Sequence, residues 1–313
     1  MTAQTTPDTA RREPAPRAPA PRELTRSERW GRRGPLLPGL LFVIALTQIP
    51  FLFTVYYSFQ DANLLRPESG GFSGLANYGA VLGDPLFRNA VVNTVLLTTG
   101  AVLLSLVLGL ALALLLDRAF LGRGVVRTLM ITPFLVMPVA AALLWKTSMY
   151  HPVYGLLNWV VSPFGVRVDW VNDFPLLSIV LVLAWQWTPF MMLILLAGLQ
   201  SQPPEVLEAA RVDGAGALET FRSITFPHLR RFLELALLLG TIYVVQTFDA
   251  IYMITQGGPG QSTTNLPYFI YLQAFRAFEV GEAAAAGVVV VAATLVIAMF
   301  ALRVVSSLFE EGS

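Results

Sequence analysis

The sequence predicts an all-α membrane protein, and two observations support that prediction. Hydrophobic residues make up 55% of the 313 residues and charged residues only 13%, whereas a soluble domain has about 25% charged residues. The charged residues also leave long charge-free stretches, at 34–60, 89–116, 128–145, 174–204, 250–275 and 283–302. A helix needs about 20 mostly apolar residues to cross a bilayer, so stretches of this length predict membrane spans.

The predicted spans are helices, because every backbone polar group in lipid must be hydrogen-bonded within its own segment. The uniformly apolar stretches do not alternate as the strands of a membrane β-barrel do. Glycines and a proline interrupt the stretch 250–275, so its span is expected to start near Leu233 and to contain Asp249. Six transmembrane helices result, at 36–58, 90–116, 128–146, 175–200, 233–255 and 283–305.

The distribution of basic residues predicts the orientation of these spans, because connections rich in Lys and Arg face the cytoplasm. Sixteen of the 21 basic residues lie in the N-terminal segment, the second and fourth connections, and the C-terminal end. The remaining five are Arg66, Arg88, Lys146, Arg167 and Arg276. Six spans place both termini on one side, so both termini are expected to be cytoplasmic.

Residues 1–33 are expected to form a disordered cytoplasmic tail that precedes the six-span domain, residues 34–313. This segment is rich in Pro, Ala and Arg, a composition that is typical of chains without a packed core. It also lacks the apolar core of a secretory signal peptide.

Several types of site are not supported by the sequence. There is no cysteine, and the only lysine, Lys146, has no glycine-rich loop before it that would bind ATP. The two histidines, His151 and His228, lie far apart in the chain, so no metal site is indicated. We therefore expect no catalytic residue, no metal and no cofactor bound by this chain, and no nucleic-acid partner.

The fourth connection, residues 201–231, predicts two short helices on the cytoplasmic side. Pro203 and Pro204 suit the opening turn of a helix, where a missing N–H costs nothing. Gly214 suits the position just past that helix's end. A second helix over 217–225 is expected to stop near Pro227.

The side chains of this connection permit two interpretations. Small and charged residues lie close together, which suits a knob for a groove on another protein, but an ordinary amphipathic connector has the same composition. Those residues include Glu208, Ala209, Ala210, Arg211, Asp213 and Ala215.

A resemblance favours the first interpretation. The run EAARVDGA followed by FRSITFP resembles the EAA motif of permease subunits in binding-protein-dependent ABC importers. It implies the type I ABC importer permease fold, with a cytoplasmic coupling helix that docks into a cleft on the ATP-binding subunit through an ionic contact of Glu208. The expected coupling residues are Glu205, Glu208, Ala209, Ala210, Arg211, Asp213, Gly214 and Pro227.

Three further stretches resemble the carbohydrate branch of that family: residues 74–94, PVYGLLN at 152–158 and TQGGPG at 255–260. This resemblance implies a multi-pass protein of the bacterial plasma membrane that takes part in sugar import. The implied partners are a second homologous permease, two ATP-binding subunits that hold ATP and Mg, an extracytoplasmic solute-binding protein and membrane lipid. Glycerol-phosphate is the alternative solute.

Polar and aromatic residues within the fourth and fifth spans are the candidates for a solute pathway. Aromatic rings stack on the apolar face of a sugar, while amides and hydroxyls bind its OH groups. Interface aromatics and polar bridges between helices are the alternative roles. Pro189 has no N–H, so one backbone carbonyl of the helix would lose its hydrogen bond. A helix broken there could line a cavity. The candidates are Trp185, Trp187, Phe190, Tyr243, Gln246, Thr247 and Asp249.

The spacing of three of these candidates and the single carboxylate of Asp249 carry further predictions. Tyr243, Gln246 and Thr247 are spaced to share one helix face, and Asp249 is interpreted as structural or gating. A secondary transporter driven by an ion gradient would need carboxylates in mid-membrane, and only Asp249 is a candidate. A membrane scaffold without transport activity would have no use for the coupling loop.

Overall fold

A computed structural model describes residues 37–66, 68 and 70–310, with the backbone alone from residue 296 onwards. The predicted tail, residues 1–33, lies outside this range. The described residues are overwhelmingly helical, and the only strand-like pairings among them are two isolated bridges, Gln60 with Phe72 and Asn63 with Glu279. The all-α prediction is confirmed.

The helices are numbered here in chain order. They are α1 Leu37–Ser58, α2 Ala76–Gly83, α3 Pro85–Asp117, α4 Arg123–Leu135, α5 Pro138–Leu144, α6 Leu156–Val161, α7 Trp170–Asp173, α8 Pro175–Gln200, α9 Pro204–Val212, α10 Ala217–Thr220, α11 Phe226–Val244, α12 Asp249–Ile254, α13 Leu266–Phe275 and α14 Val280–Glu310. Two π turns, Trp145–Met149 and Phe221–Thr225, follow α5 and precede α11. A 3₁₀ turn, Ser162–Phe164, follows α6.

Three of the described helices, α1, α3 and α8, are long and apolar enough to cross a membrane. The helix pair α4–α5 adds a fourth if it is counted as one bent span. The count of six spans therefore stays a prediction. The chain divides into two compact units, the first ending at Leu52 within α1, and the helices α2–α14 all belong to the second unit.

The core of the second unit lies where α3 and α11 pack against α8. Glycines allow these helices to approach closely, as small residues do in membrane proteins. A Cβ added to Gly109 of α3 would lie 2.7 Å from the Met191 Cβ of α8. A Cβ on Gly198 of α8 would lie 2.6 Å from the ring of Phe232 in α11. The long apolar helices thus meet at positions where no larger residue fits without a shift.

The predicted third span, 128–146, is not one helix. It consists of α4 and α5, which are bent by 98° at a short break. Val136 and Met137 have extended backbone angles there. The cause is local, because Pro138 disfavours the helical conformation for the residue before it and suits the first turn of α5.

The predicted fifth span, 233–255, is also broken. Its helix α11 starts earlier, at Phe226, and ends at Val244, after which α12 starts at Asp249. No glycine or proline lies between Gly240 and Gly257, so the break is not caused by a helix breaker. The side-chain nitrogen of Asn265 instead donates a hydrogen bond of 2.6 Å to the carbonyl oxygen of Thr247 in the break.

Two prolines do not act as predicted. Pro189 lies inside α8 without interrupting it, where the Thr188 hydroxyl donates to the Ala184 carbonyl one turn earlier at 2.6 Å. The second helix of the fourth connection does not stop near Pro227, because that residue lies in the first turn of α11. The preceding π turn, in which the N–H of Phe226 donates to the carbonyl of Phe221, provides the change of register that a proline needs.

Candidate functional site

The fourth connection folds into a short, well-terminated helix. Pro204 opens α9, and Glu205 lies in its first turn, where a carboxylate complements the helix dipole. At the other end, Gly214 has a φ of +82°. Its N–H donates to the Arg211 carbonyl, and the N–H of Ala215 donates to the Ala210 carbonyl at 3.0 Å. This pair of bonds is a Schellman motif, which satisfies the last carbonyls of the helix and turns the chain away.

The charged side chains of this helix point into solvent. Ala210 is the single buried residue of α9, whereas the other seven predicted coupling residues are exposed. The carboxylates of Glu205 and Glu208 make no hydrogen bond or ion pair with any described residue, and both described salt bridges lie elsewhere in the chain. Within the part of the chain that the structure describes, α9 therefore exposes two carboxylates, Glu205 and Glu208, that have no ion-pair partner.

His228, in the first turn of α11, links the two ends of the same connection. Its Nε2 lies 3.1 Å from the carbonyl oxygen of Gly198 and 3.0 Å from the hydroxyl of Ser201. These contacts join the start of α11 to the end of α8. The two ends of the connection are therefore held together beside α9.

The predicted pathway residues separate into two groups. Trp187 and Phe190 of α8 lie beside Tyr243 of α11, and Trp187 stacks on Tyr243 with ring centroids 5.4 Å apart. Phe134 of α4 joins them, 5.6 Å from Trp187 and 5.5 Å from Phe190. These four rings are the ring cluster. Tyr243 is 53% exposed, so the ring of Tyr243 is accessible at the surface of the cluster.

The remaining predicted pathway residues lie apart from the ring cluster's contacts. Trp185 packs against Trp145 instead, at 5.8 Å. The shared helix face predicted for Tyr243, Gln246 and Thr247 is wrong, because α11 ends at Val244 and the latter two lie in the break. The amide of Gln246 donates to the Ile242 carbonyl, and Asp249 is half-buried in the first turn of α12.

Phe134 could not be recognised from the sequence, because its partners lie on other helices and only the tertiary fold brings them together. Its position does carry one signal, since it lies two residues before the break that Pro138 causes. Tyr243 similarly lies two residues before the break at Val245–Phe248. Both broken helices thus contribute a ring to the same cluster.

Buried amides stabilise the two breaks. Gln186, on the buried face of α8, donates to the carbonyl oxygen of Val136 at 3.2 Å, and Asn265 donates to Thr247 as described. Lys146 also donates to the carbonyl oxygen of Met253 in the last turn of α12, at 2.8 Å. Non-helical backbone at membrane depth requires such partners.

The glycine-rich loop that follows α12 is part of the core. Thr263, Thr264 and Asn265 are buried. The side-chain nitrogen of Asn93 in α3 donates to the carbonyls of Gln261 and Thr264, at 3.1 and 2.9 Å. The loop is therefore a fixed support for α12 and α13.

In the part of the chain that the structure describes, no group of three or more His, Cys, Asp or Glu side chains is placed to hold a metal ion.

A family model described as "Binding-protein-dependent transport system inner membrane component" matches residues 101–310. The trehalose/maltose transport system permease protein MalF of Thermococcus litoralis is 39% identical over 251 residues, which are 79% of this chain and 83% of that protein. The sn-glycerol-3-phosphate transport system permease protein UgpA of Agrobacterium fabrum is 33% identical over 285 residues, 88% and 97% of the two chains.

A solved structure has the same fold. It is a bacterial alginate ABC transporter in complex with an alginate pentasaccharide-bound periplasmic protein, and the matching chain is 22% identical with a TM-score of 0.75. The match covers 88% of this chain and 93% of that one. The chain therefore belongs to the family of binding-protein-dependent transport system inner membrane components, the permease subunits of ABC importers.

Proposed function

We propose that this chain forms half of the translocation pathway for a carbohydrate and that ATP hydrolysis on separate subunits drives transport through α9. The observation that carries this proposal is the terminated helix α9 with its unpaired carboxylates. A short helix that ends in a defined turn would transmit a push as a rigid lever. Two ATP-binding subunits hold ATP and Mg. Each of them would bind the coupling helix of one of two homologous permeases.

The coupling contact is proposed to lie along the exposed face of α9. Glu208 would make the ionic contact to the ATP-binding subunit, and Glu205 and Arg211 would flank it. The small side chain of Ala209 lets the partner's cleft approach the backbone. The Schellman motif at Gly214 and the contacts of His228 then pass the movement to α8 and α11.

The ring cluster is proposed as the part of the pathway that meets the solute. Its open ring, Tyr243, is stacked on Trp187, and aromatic faces suit the apolar face of a sugar ring. Gln246, Thr247 and Asp249 lie just past Tyr243 in the chain and would supply polar contacts or gating. Trp185, which packs away from the cluster, is the least supported of the predicted contacts.

A sugar is favoured over glycerol-phosphate, although relatives of this chain are named for both kinds of solute. A phosphate group calls for Arg or Lys at its site. The charge-free stretches that include Phe134, Trp187 and Phe190 contain neither. A neutral solute therefore fits the ring cluster better.

Transport is proposed to follow alternating access. A solute-binding protein delivers the sugar at the outer face of the bacterial plasma membrane. Closure of the ATP-binding subunits moves α9, so that the helices beside the ring cluster rock from an inward-open to an outward-open arrangement. Both termini would lie in the cytoplasm, on the same side as the connection 201–231.

The decisive experiment uses the assembled complex with its ATP-binding subunits and solute-binding protein. Glu208→Lys should abolish both the solute-stimulated ATPase activity and the uptake of the solute. Asp117→Lys is the matched control, since Asp117 is an exposed acidic residue at the end of α3 and outside the connection. Unchanged transport by the Glu208 variant would contradict the coupling role.

Two further arms separate the alternatives. Uptake of labelled trehalose, maltose and glycerol-3-phosphate would distinguish a sugar from a phosphorylated solute. Collapse of the ion gradients at constant ATP should leave uptake unchanged. Loss of uptake under that condition would indicate an ion-driven secondary transporter instead.

A further inference from the structure

The segment between α5 and α7 has an inverted polarity. Along the helix α6 and the 3₁₀ turn after it, the polar residue Asn158 is buried and four apolar residues are exposed. Asn158 is only 4% exposed, whereas Trp159 is 72% and Phe164 is 81% exposed. Trp159 and Phe164, together with the exposed Leu156 and Val160, follow helical spacing along one side. The apolar stripe is defined here as Leu156, Trp159, Val160 and Phe164.

Asn158 holds this arrangement in place. Its side-chain nitrogen donates to the carbonyl oxygens of His151, Pro152 and Val168, the last at 2.8 Å. Its side-chain oxygen accepts a bond of 3.0 Å from the N–H of Val168. Gly155 is also required, since a Cβ there would lie 2.5 Å from the His151 carbonyl oxygen. The segment is therefore a closed loop whose own amide fixes the stripe outward.

The surroundings of the stripe are apolar in sequence as well. Residues 147–166 contain no Asp, Glu, Lys or Arg. The connection at the other end of α8 has the opposite character, with exposed charges such as Glu205, Glu208 and Arg211. Since α8 is long and apolar enough to cross a membrane, the two segments lie at opposite membrane surfaces. In the outer segment, charged residues such as Arg167 and Asp169 follow the stripe and do not lie within it.

We propose that the apolar stripe lies in the bilayer itself, at the boundary between the lipid headgroups and the acyl chains. Interfacial helices bury an apolar face at this depth, and Trp is enriched there. The helix α7, residues Trp170–Asp173, connects the region after the stripe to α8, which starts at Pro175. The stripe sets the depth of the outer ends of α5 and α8.

Lipid fits this surface better than a protein that binds only transiently. A solute-binding protein that docks and leaves in every transport cycle would expose the two large aromatic side chains to water each time. Contiguous exposed apolar surface of that kind is unfavourable in a soluble environment. Lipid covers it permanently and needs no charge on the protein.

The absence of cysteine makes a direct test possible. Trp159→Cys and Phe164→Cys each provide a single thiol for a nitroxide spin label in the full chain, reconstituted in vesicles of phosphatidylethanolamine and phosphatidylglycerol. Collision rates with oxygen, which concentrates in lipid, and with a water-soluble nickel chelate report the depth of the label. Leu218→Cys is the matched control, because Leu218 is 69% exposed in the connection that follows α8.

Labels at 159 and 164 should collide several times more often with oxygen than with the nickel chelate, and the label at 218 should show the reverse. Two labelled positions keep the test valid if one variant fails to insert. A preference for the nickel chelate at both positions would overturn the proposal. So would nickel accessibility that falls only when the solute-binding protein or the second permease is added, since a protein would then be the occupant. Neither outcome depends on transport activity or on the coupling role of α9.

Discussion

Gln186 and Val136 join the middle of α8 to the bend between α4 and α5. The side-chain nitrogen of Gln186 donates to the carbonyl oxygen of Val136 at 3.2 Å, and Gln186 is buried. On α8, Trp187 follows Gln186 directly and Phe190 lies one turn further on, and the rings of both contact Phe134 just before the bend. One amide therefore supports the backbone beside the ring cluster.

Gln186→Leu should destabilise the protein and disturb transport. It removes the donor while retaining side-chain volume, so the Val136 carbonyl would be left without this partner in an apolar environment. An unsatisfied buried acceptor costs about 1–3 kcal/mol. Thermal unfolding of the purified complex in detergent should show a lower midpoint, and solute uptake should fall.

Gln246→Leu is the control for this effect. Gln246 is exposed and donates to the Ile242 carbonyl within its own segment, so its loss leaves no buried group unsatisfied. Its unfolding midpoint should stay close to that of the unchanged chain. Equal midpoints for the two variants would show that the Gln186 bond does not stabilise the bend.

Gly109→Ala should also destabilise the protein, for a steric reason. The new methyl group would lie 2.7 Å from the Cβ of Met191 and 2.9 Å from the backbone nitrogen of Met192. Backbone cannot move aside as a side chain can, and overpacking of this kind costs about 1–3 kcal/mol. The unfolding midpoint of the complex measures the loss.

Gly79→Ala is the matched substitution, because Gly79 lies in the helix α2 and nothing lies within 4 Å of its added Cβ. A helix interior favours Ala over Gly by about 1 kcal/mol, so this variant should be neutral or slightly stabilising. If Gly109→Ala behaved in the same way, α3 and α8 would not pack as closely as described.

The features that the sequence predicts well depend on local chemistry. The fourth charge-free stretch led to a predicted span at 175–200, and α8 has those bounds. The helix α9 and the glycine just past its end were likewise readable, since Pro204 and Gly214 act through their own backbone restrictions. Such features need no knowledge of distant residues.

The features that the sequence predicts poorly depend on contacts between distant residues. The break after Val244 is stabilised by Asn265, which lies 18 residues beyond Thr247, and no local breaker marks it. Phe134 enters the ring cluster only because three helices meet there. Pro189 was misleading for the opposite reason, because α8 continues through the proline without a break.

Trp187→Ala should weaken solute transport, whereas Trp185→Ala should not. Trp187 stacks on the exposed ring of Tyr243, while Trp185 packs on Trp145. An aromatic contact contributes about 0.5–1.5 kcal/mol, so uptake at low solute concentration should fall about twofold to tenfold. Initial uptake rates over a range of sugar concentrations, with the solute-binding protein in excess, would measure this effect. Equal losses in the two variants would indicate a packing role for both tryptophans.

Gly214→Ala should impair the coupling of ATP hydrolysis to transport. Gly214 has a φ of +82°, a conformation that costs a residue with a Cβ about 1–2 kcal/mol. Nothing lies within 4 Å of an added Cβ, so the strain comes from the backbone alone. The Schellman motif would loosen, and α9 would transmit movement less well. Solute-stimulated ATPase activity of the assembled complex should fall, with folding of the permease retained.

Two further variants separate this backbone effect from simple bulk. Gly214→Asn should recover much of the activity, because Asn adopts the left-handed conformation more readily than Ala. Gly216→Ala should leave activity unchanged, since Gly216 has a φ of −70° and open space around it. If Asn and Ala at position 214 were equally impaired, the left-handed turn would not be the feature that terminates α9 for coupling. If Gly216→Ala were as impaired as Gly214→Ala, the whole connection rather than this turn would be sensitive to added side chains.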